Sequence, residues 1–281
     1  MTNLKKMAMV TAILMLPLFI TTIFAQKKVS LSYQLELGQK FDIVTEIDQD
    51  IVFEANGQPM IFDQKMIFKT SSFIEKVEKD SITIKITIDA IRMEQSIFGM
   101  EILYDSEDES TMENPMAAEV GKVMSKVIGA NIAAIIDEKG NVKKYDLSNL
   151  GDNSQMANNL TTGNSYTVFP EGKVSVDDSW EADITPLKNS DMKSHTKYTL
   201  KKITKKTVTI EILSTITANN IDGEDLKMEG EITGEIIVDR KTGWTIQSDM
   251  DMETELELEQ NGMKFPATIS GTINVVSSLK E

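Results

Sequence analysis

Residues 81–88 read Ser-Ile-Thr-Ile-Lys-Ile-Thr-Ile, and this strict alternation constrains the fold more than any other feature of the chain. In an extended strand successive side chains point to opposite faces. Ile82, Ile84, Ile86 and Ile88 therefore share one face, with Thr83, Lys85 and Thr87 on the other. The pattern recurs. Phe41, Ile43, Ile47, Ile51 and Phe53 have one parity, and Phe62, Met66 and Phe68 line the next run. Between those runs Asn56-Gly57 supplies the positive φ of a tight hairpin, and Asn261-Gly262 repeats the device. Asp222-Gly223 and Lys139-Gly140 mark two further turns. One apolar and one polar face per strand is the pattern of antiparallel sheets packed on one side. The fold class expected is mainly β (α+β), a curved antiparallel sheet or half-barrel with one or two packed helices. Periodicity does not decide whether the sheet closes, stays half open or splits in two.

The middle of the chain changes period. Asn114-Pro115 is a helix start, with Asn as N-cap and Pro at the first helical position. Met116, Val120, Val123, Met124, Val127 and Ile128 follow at helical spacing, opposite Glu119, Lys122, Ser125 and Lys126, until Gly129. Residues 130–137 and 142–145 then read as a short hairpin closed at Gly140. A poorer second helix is expected over 153–159, and 105–113 and 161–165 read as loops.

Two stretches match each other across the chain. Residues 74–86 align without gaps on 200–212, and 35–41 align on 174–180. Duplication explains this, and so does chance matching between strand-rich segments. The expected halves are 26–150 and 151–281, within one continuous domain. Residues 1–25 stand apart: Lys5 and Lys6 precede an apolar run to Phe24 that ends at Ala25, the layout of a secretory signal. The competing reading is a retained anchor, since the run is nearly long enough to span a bilayer. Acylation at the cut would need a cysteine, and the chain has none, so no lipoprotein is expected. The expectation is an exported protein of the periplasm or cell surface.

Composition removes several chemistries. Without cysteine there is no disulfide, thiolate zinc site or thiol nucleophile, and a single histidine rules out multi-histidine metal sites. A net charge of −15 opposes phosphate backbones, so nucleic acid is not an expected partner. His195 has no nucleophile motif beside it and reads as a surface residue. The acidic run 105–110 opens like a calcium loop but has Ser110 where glycine is needed and Met116 where the closing glutamate belongs. Asp249, Asp251, Glu253, Glu255, Glu257 and Glu259 alternate along one strand, which places them on a solvated face, with Met250, Met252, Leu256 and Leu258 toward the core. Trp180 and Trp244 read as packing anchors at strand starts. No catalytic residue, metal ligand or cofactor is assigned.

Val168-Phe169-Pro170-Glu171-Gly172-Lys173-Val174-Ser175-Val176-Asp177-Asp178-Ser179-Trp180 resembles an uncharacterised family of exported bacterial proteins, a domain-of-unknown-function family. There a Phe-Pro segment leads to a valine-rich strand and a Gly-Asp-Ser-Trp turn, and here Asp177 stands at the glycine position. Residues 35–41 and 234–243 also resemble that family. The resemblance implies export and β-rich architecture, and it transfers no site residues. The layout is also similar to envelope lipid carriers, in which a curved antiparallel sheet wraps one or two helices. Three functions follow as expectations. The first is a non-catalytic envelope binding protein that holds an apolar ligand or lipid between sheet and helix, with Met116, Val120, Met124 and Ile128 as ligand-binding residues. The second is an adaptor or structural protein that binds other envelope proteins. The third is a carboxylate-based hydrolase.

Overall fold

The computed structural model describes residues 28–55, 58–97, 99–146, 166–184, 191–221, 224–260 and 263–280. The expected signal at 1–25, the second helix at 153–159, the loop at 161–165 and the turn residues at 56–57, 222–223 and 261–262 lie outside them. Twelve strands form one antiparallel sheet: β1 (Lys40–Ala55), β2 (Gln58–Val77), β3 (Ile82–Ile97), β4 (Met100–Asp105), β5 (Asn131–Ile136), β6 (Val142–Asp146), β7 (Ser179–Ile184), β8 (Lys193–Ile203), β9 (Thr207–Ile221), β10 (Glu224–Asp239), β11 (Thr245–Gln260) and β12 (Met263–Lys280). The order is β6-β5-β3-β2-β1-β12-β11-β10-β9-β8-β7, with β4 also paired to β3. The sheet is not closed into a barrel. Among the described residues the one α-helix, α1 (Pro115–Met124), follows a 3-10 helix over Glu109–Glu113, where the sequence reads as loop.

The internal match is real in three dimensions. Gly38 has φ 86° and donates its N–H to Ile74 O at 2.9 Å. Asp177, the aligned residue, has φ 71° and donates to Leu200 O at 2.7 Å. In return Ile74 N–H donates to Gln39 O, and Leu200 N–H to Asp178 O, at 2.9 and 3.0 Å. The side chains of Gln39 and Asp178 each accept from the backbone three residues earlier, at 2.9 and 2.8 Å. The register slips after Ile74 in one copy and after Leu200 in the other. The sheet order follows suit: β6-β5-β3-β2-β1 and β11-β10-β9-β8-β7 are the same series, with β12 between them. Only the first copy carries β4 and α1, between β3 and β5.

Parity assigns the two faces as the sequence predicts. Ile82, Ile84, Ile86 and Ile88 are all buried. Asp249, Asp251, Glu253 and Glu255 are exposed on the other side of β11. The larger buried cluster joins Ile132, Ala134 and Ile136 of β5 to Leu200 of β8 and Val208 of β9, strands near opposite edges of the sheet. Such a cluster requires the sheet to curl with its apolar face inward. Two extended arms, over 28–37 and 166–178, fill the curl at one end. They bridge at Val29 and Val174 and hydrogen-bond to the β5–β6 and β10–β11 turns: Tyr33 N–H to Glu138 O, Phe169 N–H to Lys139 O and Gln34 N–H to Thr242 O. Aromatic rings complete the plug. Phe41 stacks on Trp244 with centroids 4.1 Å apart, and Trp244 Nε1 donates to Ser277 Oγ at 3.0 Å. Burying rings of this size contributes about 1.5–3 kcal/mol each.

Candidate functional site

Asn114 caps α1 as its sequence demands, its Oδ1 accepting from Met116 N–H at 2.9 Å. The helix then stops at Met124, earlier than the expected 128. Residues 125–129 turn instead, because Val127 is drawn fully into the smaller cluster and Gly129 N–H bonds Ile88 O at 2.8 Å. That cluster holds Phe68, Ile88, Ile91, Ile102, Tyr104, Ala117 and Val127. Among the residues proposed from sequence for a ligand, Val120, Met124 and Ile128 pack against it, whereas Met116 is 43 % exposed. The helix sits close on the sheet: a Cβ added at Gly121 would lie 2.9 Å from the Tyr104 ring. The space under α1 is occupied by protein side chains.

Open apolar surface lies elsewhere. The hairpin tips of β1–β2, β3–β4, β9–β10 and β11–β12 gather at the end of the sheet opposite the arms. On the inner face near those tips, Phe53, Phe62, Met228, Met252, Leu256 and Ile269 are half-buried and belong to neither buried cluster. Phe53 and Phe62 stack with centroids 4.8 Å apart. The alternation of the sequence placed these residues on one face. It could not show that the arms and α1 would leave them uncovered, because both covers come from distant parts of the chain.

Polar groups on this part of the inner face are few; several bond one another, while Gln95 and Thr254 share the face without such a bond. Gln49 Nε2 donates to Gln64 Oε1 at 2.7 Å, and Gln64 Nε2 to Met93 Sδ at 3.7 Å. Thr196 Oγ1 donates to Ser214 Oγ at 2.9 Å, and Ser194 and Ser214 hydroxyls lie 2.8 Å apart. Among the described residues, no carboxylate, lysine or histidine shares the inner face at the tip end. Thr70 Oγ1 and Ser248 Oγ are buried without a hydrogen-bond partner, but they lie deeper, beside Ile43 and Val275.

The outer face carries the charge. Near the tips, Asp50 opposes Asp63 and Glu229 opposes Glu255 across paired strands. An open groove of about 580 Å³ there is lined by residues including Val52, Pro59, Glu229, Glu255 and Thr268, with Lys227 ion-paired to Glu229 at 3.0 Å. His195 stands on the outer face of β8, exposed, with Nδ1 2.7 Å from Asp183 Oδ1 and Nε2 3.7 Å from Glu181. Those partners raise its pKa, the Asp183 hydrogen bond most of all. The sequence reading placed His195 at the surface but missed both carboxylates, which β7 brings across the strand pair. The acidic run 105–110 leads into the 3-10 helix, which Asp108 caps by accepting from Ser110 N–H. Burial raises the phenols of the plug, Tyr33 and Tyr166 strongly and Tyr145 to about 12.

Residues 147–245 match a family of unknown function (DUF6263). No curated protein matches the chain. A solved structure of lipovitellin, reporting its lipid–protein interactions, aligns with 88 % of this chain at 9 % identity and a TM-score of 0.52. The chain spans 25 % of that protein's length, so the likeness is one of fold. The translocator domain of autotransporter NalP from Neisseria meningitidis aligns with 86 % of this chain and 89 % of its own, at 7 % identity. Its TM-score of 0.23 is too low to bear on the architecture.

Proposed function

We propose that this is an exported, non-catalytic binding protein of the cell envelope that holds an apolar ligand or lipid. One observation carries the reading: a curled sheet whose inner face is filled at the arm end and beneath α1, yet apolar at the tip end, where neither the arms nor α1 covers it. Contiguous apolar surface of this kind marks ligand or partner sites in soluble proteins. The ligand lies on the tip-end surface around Met252, Leu256 and Phe53. Val120, Met124 and Ile128 support the wall from outside it, and Met116 takes no part. Among the described residues the tip-end inner face carries apolar and neutral side chains, which suits binding. The likeness of fold to lipovitellin, a protein described by its lipid interactions, agrees with this reading.

Native mass spectrometry of the protein purified from its own envelope, followed by solvent extraction, tests it. A stoichiometric apolar mass is expected, and Leu256→Glu should abolish it. A bare chain that takes up no added lipid would sink the proposal. It would favour the second reading, an adaptor that pairs through β6 and β7, the two open edges of the sheet.

A further inference from the structure

The tip-end face also constrains its ligand. Few polar groups remain there to meet a ligand: Gln49 is hydrogen-bonded to Gln64 and Thr196 to Ser214, which leaves Gln95 and Thr254. Deeper in, the hydroxyls of Thr70 and Ser248 are unpartnered and more than nine-tenths buried beneath packed side chains. A ligand with hydrogen-bonding groups along its buried length would desolvate them without recompense. A plain hydrocarbon chain has no such cost. The walls suit one, since Met228 lies opposite Leu256, Met252 shares that face of β11, and methionine adapts to chains of varied course.

A polar head attached to such a chain must emerge at the tips. Just outside, the outer face presents Asp50, Asp63, Glu229, Glu255 and Glu257, with Lys227 as the cation of the groove. The pairs Asp50–Asp63 and Glu229–Glu255 set like charges directly opposite each other, so the field there is negative before any ligand arrives. An anionic head would add to that repulsion, and a head bearing an ammonium group would relieve it.

We propose that the ligand is a single- or double-chain amphiphile whose head is zwitterionic or cationic, chosen over anionic amphiphiles of the same chain length. This rests on the binding reading above. The probes are a monoacyl phosphocholine and the monoacyl phosphoglycerol of equal chain length, each below its micelle concentration. They are titrated calorimetrically into delipidated full-length protein at low and at high salt. The phosphocholine should bind about tenfold more tightly at low ionic strength, and the gap should close near 1 M salt, where the Debye length is about 3 Å. Glu255→Lys, which pairs a cation with Glu229, should narrow the gap at low salt by weakening phosphocholine and strengthening phosphoglycerol. Equal affinities for the two heads in the wild type, or a preference that ignores salt, would overturn the head-group proposal and leave the carrier reading standing. Binding of neither probe would overturn both.

Discussion

Asp177 and Gly38 make the same turn with different residues, and the difference has a measurable cost. At φ 71° a Cβ crowds the neighbouring carbonyl, a strain that aspartate tolerates and glycine does not feel. Asp177→Gly should therefore raise stability by up to about 1 kcal/mol, and Gly38→Asp should lower it by a similar amount. Urea unfolding of the pair would show this, and opposite signs at the two sites are the expected result. The sequence identified Asp177 as a departure from the glycine of the similar family, but not that the turn would survive the change. Its survival follows from the Asp178 carboxylate, which holds Ser175 N–H as Gln39 holds Glu36 N–H. His195 offers a second test at this scale. Because Asp183 and Glu181 raise its folded pKa, the pairing supports the fold fully below the ordinary histidine pKa. That support fades as pH rises through the raised value. The lone imidazole should titrate above the ordinary value by NMR, and Asp183→Asn should bring it back down.

At the level of elements, strand parity was legible because alternation leaves one choice of face once a core exists. The four isoleucines of β3 and, on β11, Asp249, Asp251, Glu253 and Glu255 lie where the pattern put them. The end of α1 was not legible. Helical spacing continues to Ile128, yet the sheet captures Val127 and Gly129 and ends the helix at Met124. Pairing partners were also hidden, and they alter what the acids mean. In register, Glu229 faces Glu255, Glu231 faces Glu253 and Glu235 faces Asp249, so β10 and β11 repel along their outer face. Replacing Glu253 with Lys should raise the melting temperature by about 2 °C at low salt, with a smaller gain at high salt, as calorimetric scans would record. The wild type should itself gain stability from added salt through screening.

For the whole molecule, the curl decides whether a site exists at all, and nothing in the periodicity sets it. Backbone contacts do. Gly271 of β12 lies so close to β1 that a Cβ there would run into Asp48 O and lie 2.7 Å from Gln49 Cα. Gly271→Val should force the strands apart, cost about 1–3 kcal/mol and widen the curl. Urea unfolding would read the loss, and small-angle scattering a larger radius of gyration. Amphiphile binding should weaken in parallel. The repeat was visible as two short alignments, but its purpose in the sheet was not. Each copy ends short of the other, and β12 fills the space between β1 and β11. β12 is thus the seam of the molecule. Until it arrives, β1 and β11 each present a long row of unmatched amide groups, the kind of template on which chains stick to one another. A chain in which β12 pairs late therefore leaves two long strand edges open to other chains at once.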